Sequence, residues 1–110
     1  MSYDFLMFKP LGALNSPDDL SEETTAVIGS AADIRQALSR LYLAIDWQDE
    51  VFGSLDGPDT WYEFWLSQDD QKCFSIHTSH LTNQRRLIPE ICRELGLVAF
   101  DGQTYTLIGA

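Results

Sequence analysis

Two cysteines and two histidines are the side chains of this sequence that could support metal or nucleophilic chemistry. Cys73, His77 and His80 are close together along the chain, as zinc ligands often are. On a strand, however, Cys73 and His77 would share a face about 13 Å apart, and one ion with bonds of about 2 Å cannot bridge them. His77 and His80 are an odd number of residues apart and would point to opposite faces. We therefore expect neither a metal site nor a cofactor.

A nucleophilic site would have to combine Cys73 or Ser75 with His77 and Glu63. Side chains two residues apart on one strand face start about 7 Å apart at the backbone. Neither a glycine-rich turn nor a helix start lies nearby to supply an oxyanion hole. Cys92 falls on the apolar stripe of a predicted helix and is expected in the core. The sequence therefore predicts no catalytic residue and no enzymatic activity.

The strands that position these side chains are predicted from apolar runs. Residues 3–8 are almost continuously apolar, broken only by Asp4, which predicts a short strand in mid-sheet, buried on both faces. Aromatic and β-branched runs at 61–66 and 73–78 predict an antiparallel hairpin. Three further strands are predicted, over part of 50–55 and over 97–100 and 104–108.

Two helices are predicted between the strands. The first begins after Ser30, a capping residue, with Asp33 in its first turn and an apolar stripe behind it. The second ends at Leu95, where Gly96 can take the left-handed conformation. Pro89 suits the first turn of that helix and would kink a helix that began as early as residue 82. Ser16 and Pro17 could also open one helical turn.

The element order predicts one α+β domain over residues 1–110. Strand, helix, two or three antiparallel strands, helix and strand follow one another along the chain. This order is typical of a single antiparallel-rich sheet with two main helices on one face. We expect the ferredoxin-like split βαβ arrangement or a near variant.

The hairpin register decides which side chains face away from the helices. Pairing Leu66 with Phe74 places the apolar side chains of both strands on one face and leaves residues 69–71 as a three-residue loop. Glu63 would then lie opposite His77, an attractive cross-strand pair. On the other face the sequence predicts Trp61, Glu63 and Trp65 across from Ser79, His77 and Ser75.

Two alternatives remain for this second face. A further segment, residues 11–29, could lie over the two tryptophans and make them structural. Without such a cover, two tryptophan rings would be exposed on a flat sheet, and exposed aromatic patches usually mark binding sites.

The charge of the chain is strongly negative, with 17 acidic and 7 basic residues and a net charge of -10. Nucleic acids and anionic membranes require Lys and Arg, so we expect neither as a partner. Residues 41–71 contain eight acids, no Lys or Arg, and all three tryptophans. Such a surface suits a basic protein partner, although an acidic surface kept for solubility is the alternative. The candidate partner-binding residues are Trp47, Asp56, Asp59, Trp61, Glu63, Trp65 and His77.

The first ten residues do not resemble a secretory leader, because Asp4 stands where basic residues are expected and the apolar run is short. No run approaches the about 18 apolar residues that span a bilayer. Cys73 and Cys92 are expected to be free thiols in a reducing compartment. We expect a soluble, cytoplasmic protein.

Seven short motifs, spread over most of the chain, occur together in this sequence. They are Tyr3-Asp4-Phe5, Ile28-Gly29-Ser30, Ile34-Arg35-Gln36-Ala37-Leu38, Asp46-Trp47, Trp61-Tyr62-Glu63-Phe64, Ile91-Cys92-Arg93-Glu94-Leu95-Gly96 and Phe100-Asp101-Gly102-Gln103-Thr104. In these motifs the chain resembles a group of small, acidic, uncharacterised bacterial proteins. The group often has Trp after the glycine that ends the second helix, where this chain has Leu97. The resemblance implies a stand-alone bacterial domain of the kind found among toxin-immunity proteins, and it supplies no catalytic residues.

Three functional hypotheses follow. The first is a non-enzymatic, acidic protein-binding module, with immunity to a basic toxin as its most concrete form. The second is a small-ligand sensor or enzyme that uses Glu63 and His77 on the sheet face. The third is a structural domain that pairs with a second copy through the same face.

Overall fold

A computed structural model of the chain describes residues 3–56, 61–78 and 84–109, which form an α+β fold. In these ranges there are eight strands, two α-helices and one 3-10 turn at Pro17–Asp19. The helices are α1 (Ala31–Leu41) and α2 (Gln84–Leu95). The strands are β1 (Tyr3–Pro10), β2 (Thr25–Ala26), β3 (Asp46–Trp47), β4 (Phe52–Asp56), β5 (Trp61–Trp65), β6 (Cys73–Thr78), β7 (Val98–Asp101) and β8 (Thr106–Ile108).

All eight strands belong to one antiparallel sheet. Its order is β3-β4-β5-β6-β1-β7-β8, and β2 pairs with the end of β1. Each pairing of neighbouring strands is antiparallel. The predicted α+β class and antiparallel sheet are confirmed, and the sheet is larger than a four-stranded core because β3, β4 and β8 extend its two edges.

Strand alternation divides the sheet into a helix side and an outer face. On the helix side the central strands contribute Phe5 and Phe64, both fully buried. The helices close this side with the apolar stripe predicted for each of them, including Leu38 and Ile91. The other buried members of this core include Met7, Ile34, Tyr62, Phe74, Ile76, Leu87, Ile88, Cys92 and Ala99.

The ends of the helices follow the predicted signals. Ser30 Oγ accepts a hydrogen bond from Asp33 N, and Asp33 Oδ2 accepts one from Ser30 N, both at 3.2 Å. Gly96 follows α2 with φ of +68°, the left-handed conformation that glycine adopts without strain. Pro89 lies well inside α2 rather than in its first turn, where it removes one backbone donor. None of the helices in the described ranges is long and apolar enough to cross a membrane.

Strand β1 lies in mid-sheet as predicted, between β6 and β7, but only one of its faces is buried. Asp4 and Leu6 point to the outer face and are exposed. The expectation that this strand is buried on both faces is therefore wrong. The helices cover one side of the sheet, and no layer covers β1 on the other side at these positions.

The connection between β5 and β6 is longer than the predicted three-residue loop. The strand pairing ends at Trp65 opposite Ser75, so residues 66–72 form the connection. The Gln71 side chain is buried and closes the loop, since its Oε1 accepts from Ser67 N at 2.7 Å and its Nε2 donates to Ser67 O at 2.6 Å. Its backbone also pairs with that of Gly29. The loop is therefore held by long-range contacts that hairpin length rules do not include.

Candidate functional site

Trp65 is the centre of the candidate site on the outer face of the sheet. Its side chain is 47% exposed. The register places it beside Phe52 of β4, and the two ring centroids are 4.6 Å apart with an interplanar angle of 62°. The His77 ring of β6 lies 5.7 Å away at 77°. Two edge-to-face neighbours therefore fix the Trp65 ring while nearly half of it faces solvent.

His77 stands between two acidic residues on the outer face. It pairs across the ladders with Glu63 of β5 on one side and with Asp4 of β1 on the other. The register prediction of Glu63 opposite His77 and of Trp65 opposite Ser75 is confirmed. His77 Nδ1 lies 2.5 Å from Asp4 Oδ1, and because a carboxylate only accepts, Nδ1 donates this bond.

The Glu63 side chain accepts a hydrogen bond from a residue of its own strand. Trp65 Nε1 donates to Glu63 Oε1 at 3.3 Å. The carboxylate therefore lies against the edge of the indole ring. Together, Asp4, Glu63, Trp65 and His77 form a connected polar and aromatic group on the outer face, with Phe52 closing one side of it.

Trp61 and Asp56 extend the same face toward one end of the sheet. They are paired directly across β5 and β4, and Trp61 is half-buried whereas Asp56 is exposed. Of the remaining predicted residues, Asp59 lies outside the described residues, as does Ser79, the expected partner of Trp61.

Trp47 lies on the helix side of the sheet, away from the other two tryptophans. It pairs with Gly53, whose own neighbour is the core residue Phe64. Its Nε1 donates to Ser39 Oγ of α1 at 3.0 Å, and its ring packs against the core. The structure therefore brings together Asp56, Trp61, Glu63, Trp65 and His77 but places Trp47 in the layer under α1.

Residues 11–29 leave Trp65 exposed. Ile28 N donates to Gln71 O at 2.6 Å, Lys72 Nζ donates to Glu22 O at 3.4 Å, and the Tyr105 hydroxyl donates to Asp18. Leu14 in this segment and Val98 on the outer face of β7 are both buried, although neither belongs to the main core. The outer face is thus covered around Val98 and accessible around Trp65.

Charge is distributed unevenly between the two sides of the sheet. The strand residues that point to the outer face in the described ranges include four acids and neither Lys nor Arg. The arginine side chains that the structure describes, Arg35, Arg40 and Arg93, belong to the helices on the other side of the sheet. The electrostatic potential over the outer face is therefore negative. The four acids are Asp4, Asp46, Asp56 and Glu63.

The arrangement offers little for catalysis. The Asp4 carboxylate can orient the His77 ring as in a catalytic pair, but the face is an extended sheet surface rather than a cleft. A shallow groove of about 180 Å³ lies elsewhere, between α1 and the end of α2, where Ile28, Ile34 and Leu95 line it. No cluster of three His, Cys, Asp or Glu that could hold a metal ion occurs among the described residues.

The two cysteines lie on opposite sides of the sheet and are free. Cys73 is half-buried on the outer face, and Cys92 is buried in the core. Burial raises the pKa of both thiols, and it raises that of Cys92 to about 11. A thiol with a raised pKa is protonated at neutral pH and is a poor nucleophile.

Sequence reasoning did not identify Asp4 or Phe52 as members of the site. Both join it through pairings between strands that are distant along the chain. The available signal was the alternation in β1, where Asp4 falls out of phase with the buried Phe5.

Comparison of the chain with protein-family models, curated proteins and solved structures finds no match.

Proposed function

We propose that the chain is a non-enzymatic protein-binding module whose outer face takes a positively charged protein partner. An immunity protein against a basic toxin is the most concrete form of this function. The observation that carries the proposal is the coincidence of the exposed Trp65 with an all-acidic set of charged strand residues on one face. The resemblance of the sequence to small acidic bacterial proteins points in the same direction.

Each part of this surface has a role in association. The acids attract a basic partner over distances of about 10 Å at 0.1 M salt. Trp65 supplies apolar area in a ring that is already oriented, so little side-chain entropy is lost on binding. Tryptophans at the centre of an interface often carry a large share of its binding free energy.

We also infer that the centre of the fold is of the ferredoxin-like split βαβ type. The support is the order β5-β6-β1-β7, together with helices that follow β1 and β6 along the chain. In this interpretation β3, β4 and β8 are additions at the edges. The two free thiols favour a reducing compartment, and on that ground we propose the cytoplasm.

The binding proposal is tested by affinity capture with three baits. The wild-type chain and a Leu43→Ala control, altered at a 90% exposed apolar residue off the outer face, should retain the same basic protein. The Trp61→Ala/Trp65→Ala variant should lose it, provided that circular dichroism shows the same fold. The purified partner should then bind the wild type at least about 30-fold more tightly than the double variant in calorimetry.

Salt dependence provides the second criterion for the proposal. Affinity for the purified partner should fall as salt is raised, because the acidic face contributes through screened charges. An acidic partner, binding that is independent of salt, or full retention by the double variant would each contradict the proposed surface.

The contact between Asp4 and His77 supports a second candidate, a small-ligand sensor or enzyme centred on His77. This candidate requires a small ligand that perturbs His77 and its neighbours in NMR spectra. A metabolite screen that shifts resonances lining the groove between the helices, and leaves His77 unchanged, would remove it.

The third candidate, a homodimer through the outer face, brings four acids against their own copies. Light scattering at high protein concentration and low salt should therefore report a monomer. A dimer that is lost in Trp65→Ala would favour this candidate over a basic partner.

A further inference from the structure

We propose that the partner inserts an arginine side chain at the outer face, with its guanidinium group lying on Trp65 beside the Glu63 carboxylate. This inference rests on the proposed function and names the group that the surface recognises. The observations behind it are the exposed indole, the two rings that hold it, and the carboxylates bound to this aromatic group.

The chemistry of Trp65 favours a cation. The face of an indole ring carries negative electrostatic potential and attracts Lys, Arg or ligand cations, more strongly than the rings of Tyr or Phe do. Glu63 adds a formal charge next to this ring, because its Oε1 accepts the bond from Trp65 Nε1. An anionic or purely apolar group would gain less at this position.

The neighbouring carboxylates select where the cation lies. Glu63 and Asp4 flank His77 from two strands, and His77 packs edge-on against Trp65. Each carboxylate has two oxygens with about four acceptor positions, so one bond from Trp65 or His77 leaves acceptor capacity for a ligand. A group on the Trp65 ring can therefore donate to Glu63, while Asp4 adds negative charge on the far side of His77.

Shape favours arginine over lysine. A guanidinium group is planar, stacks on aromatic rings and presents five N–H donors in a fixed plane. Lying on Trp65, it would direct those donors toward the edge of the ring, where the Glu63 carboxylate lies. A lysine ammonium group is compact, more strongly hydrated and not planar, so it gains less from stacking on the ring.

The test uses three defined peptides with the isotope-labelled full chain. Each has the form acetyl-(Gly-Xaa)3-amide, with Arg, Lys or the neutral isostere citrulline at Xaa. NMR titration should show the Arg peptide moving the Trp65 indole N–H and the backbone signals of Glu63 and His77. The Arg peptide should bind about two- to fivefold more tightly than the Lys peptide, and citrulline should leave these signals unchanged.

Two matched variants separate the contribution of the Trp65 ring to peptide binding from that of the overall negative charge. Trp65→Leu should weaken Arg binding about two- to fivefold and remove the preference for Arg over Lys. Tyr105→Leu alters another exposed aromatic residue beside an acid, Asp18, and should leave both affinities unchanged. Glu63→Gln keeps the ring and should also weaken the Arg peptide, so the test does not depend on one variant. Unchanged amide spectra away from the substitution verify the fold of each protein.

The outcomes distinguish this inference from the function on which it rests. Equal binding of Arg and Lys peptides at the outer face, with Trp65→Leu no weaker than Tyr105→Leu, would overturn the arginine inference and leave a basic partner in place. Equal binding of the citrulline peptide would overturn both the arginine inference and the role of charge. Peptide shifts confined to the helix side would overturn the inference and the proposed binding face together.

Discussion

Phe64 and Trp65 are adjacent in β5, and they show the difference between the two faces of the sheet. Phe64 points to the helix side and is fully buried, whereas Trp65 points to the outer face and is 47% exposed. Both are large aromatic residues in the same strand, so hydrophobicity does not account for the difference. What differs is the layer above them, since α1 and α2 cover one side and nothing described covers Trp65 on the other.

Trp47 and Trp65 extend the comparison to one residue type. The indole N–H of Trp47 donates to Ser39 of α1, which binds a strand to a helix. The indole N–H of Trp65 donates to Glu63 on its own strand. The first contact links two layers of the fold, and the second arranges a surface. The indole N–H group thus joins two layers of the fold on the helix side and orients an exposed ring on the outer face.

The largest expected effect comes from truncating these neighbours in β5. Phe64→Ala should lower the free energy of unfolding by about 3–5 kcal/mol, because it leaves a cavity in the core. Trp65→Ala should lower it by about 1 kcal/mol or less, since the ring is half exposed. Urea denaturation followed by circular dichroism measures both. A similar loss for the two variants would show that the outer face is packed like the core.

A smaller loss of stability is expected from a substitution at Gly53, over which the Trp47 ring packs. A Cβ atom at Gly53 would lie 2.5 Å from Trp47 Cε3, so Gly53→Ala must displace the ring. Overpacking of this kind costs about 1–3 kcal/mol, which thermal or urea unfolding detects.

Gly12 provides the control for this substitution, because nothing lies within 4 Å of its Cβ position. Gly12→Ala should change stability by about 0.5 kcal/mol or less. If Gly53→Ala were equally mild, Trp47 would not be held on the helix side as described.

The reactivity of the two thiols provides a comparison of the two faces of the sheet. Cys73 should react with a thiol reagent at pH 8 at least about tenfold faster than Cys92, because Cys92 is buried and its raised pKa leaves less thiolate. The Cys92 rate should keep rising with pH toward about 11, where its thiol ionises. Labelling of Cys73→Ser and Cys92→Ser variants assigns the rates, and faster labelling of Cys92 would contradict its burial.

The smallest effect is expected at the surface pair of Asp4 and His77. Asp4→Asn removes a charge but preserves the shape of the side chain, and the pair is partly exposed. Exposed ion pairs contribute about 0–1 kcal/mol, so stability should change by no more than that. Urea denaturation at pH 6 and in high salt measures the change, and a loss above that range would identify a structural role for the pair.

Much of the division between the helix side and the outer face of the sheet could be predicted from the alternation of side chains alone. Side chains in a strand point to alternate faces, so the positions of Phe64, Glu63 and Trp65 followed once the strand was recognised. The cap of α1 at Ser30 and the glycine after α2 were also predicted, because both signals are local.

The errors arose where distant segments meet. The face of Trp47 was not predictable because β3 has two residues and shows no alternation. Gln71 was expected in a three-residue hairpin loop, yet it is buried, and its backbone pairs with that of Gly29, which lies 42 residues earlier in the chain. Asp4 joined the site only through the pairing of β1 with β6. Its partners could not be inferred from its own neighbourhood.

The uneven charge has a consequence for the approach of two molecules. The side chains described on the two helices carry three arginines and three acids, whereas the outer face of the described strands carries four acids without a base. The described charge is therefore more negative on the outer face than on the helix side. In the field of a cationic body this asymmetry produces a torque that turns the outer face of the sheet toward it. The molecule would be rotated into the productive orientation before contact, and its association rate would depend on that alignment.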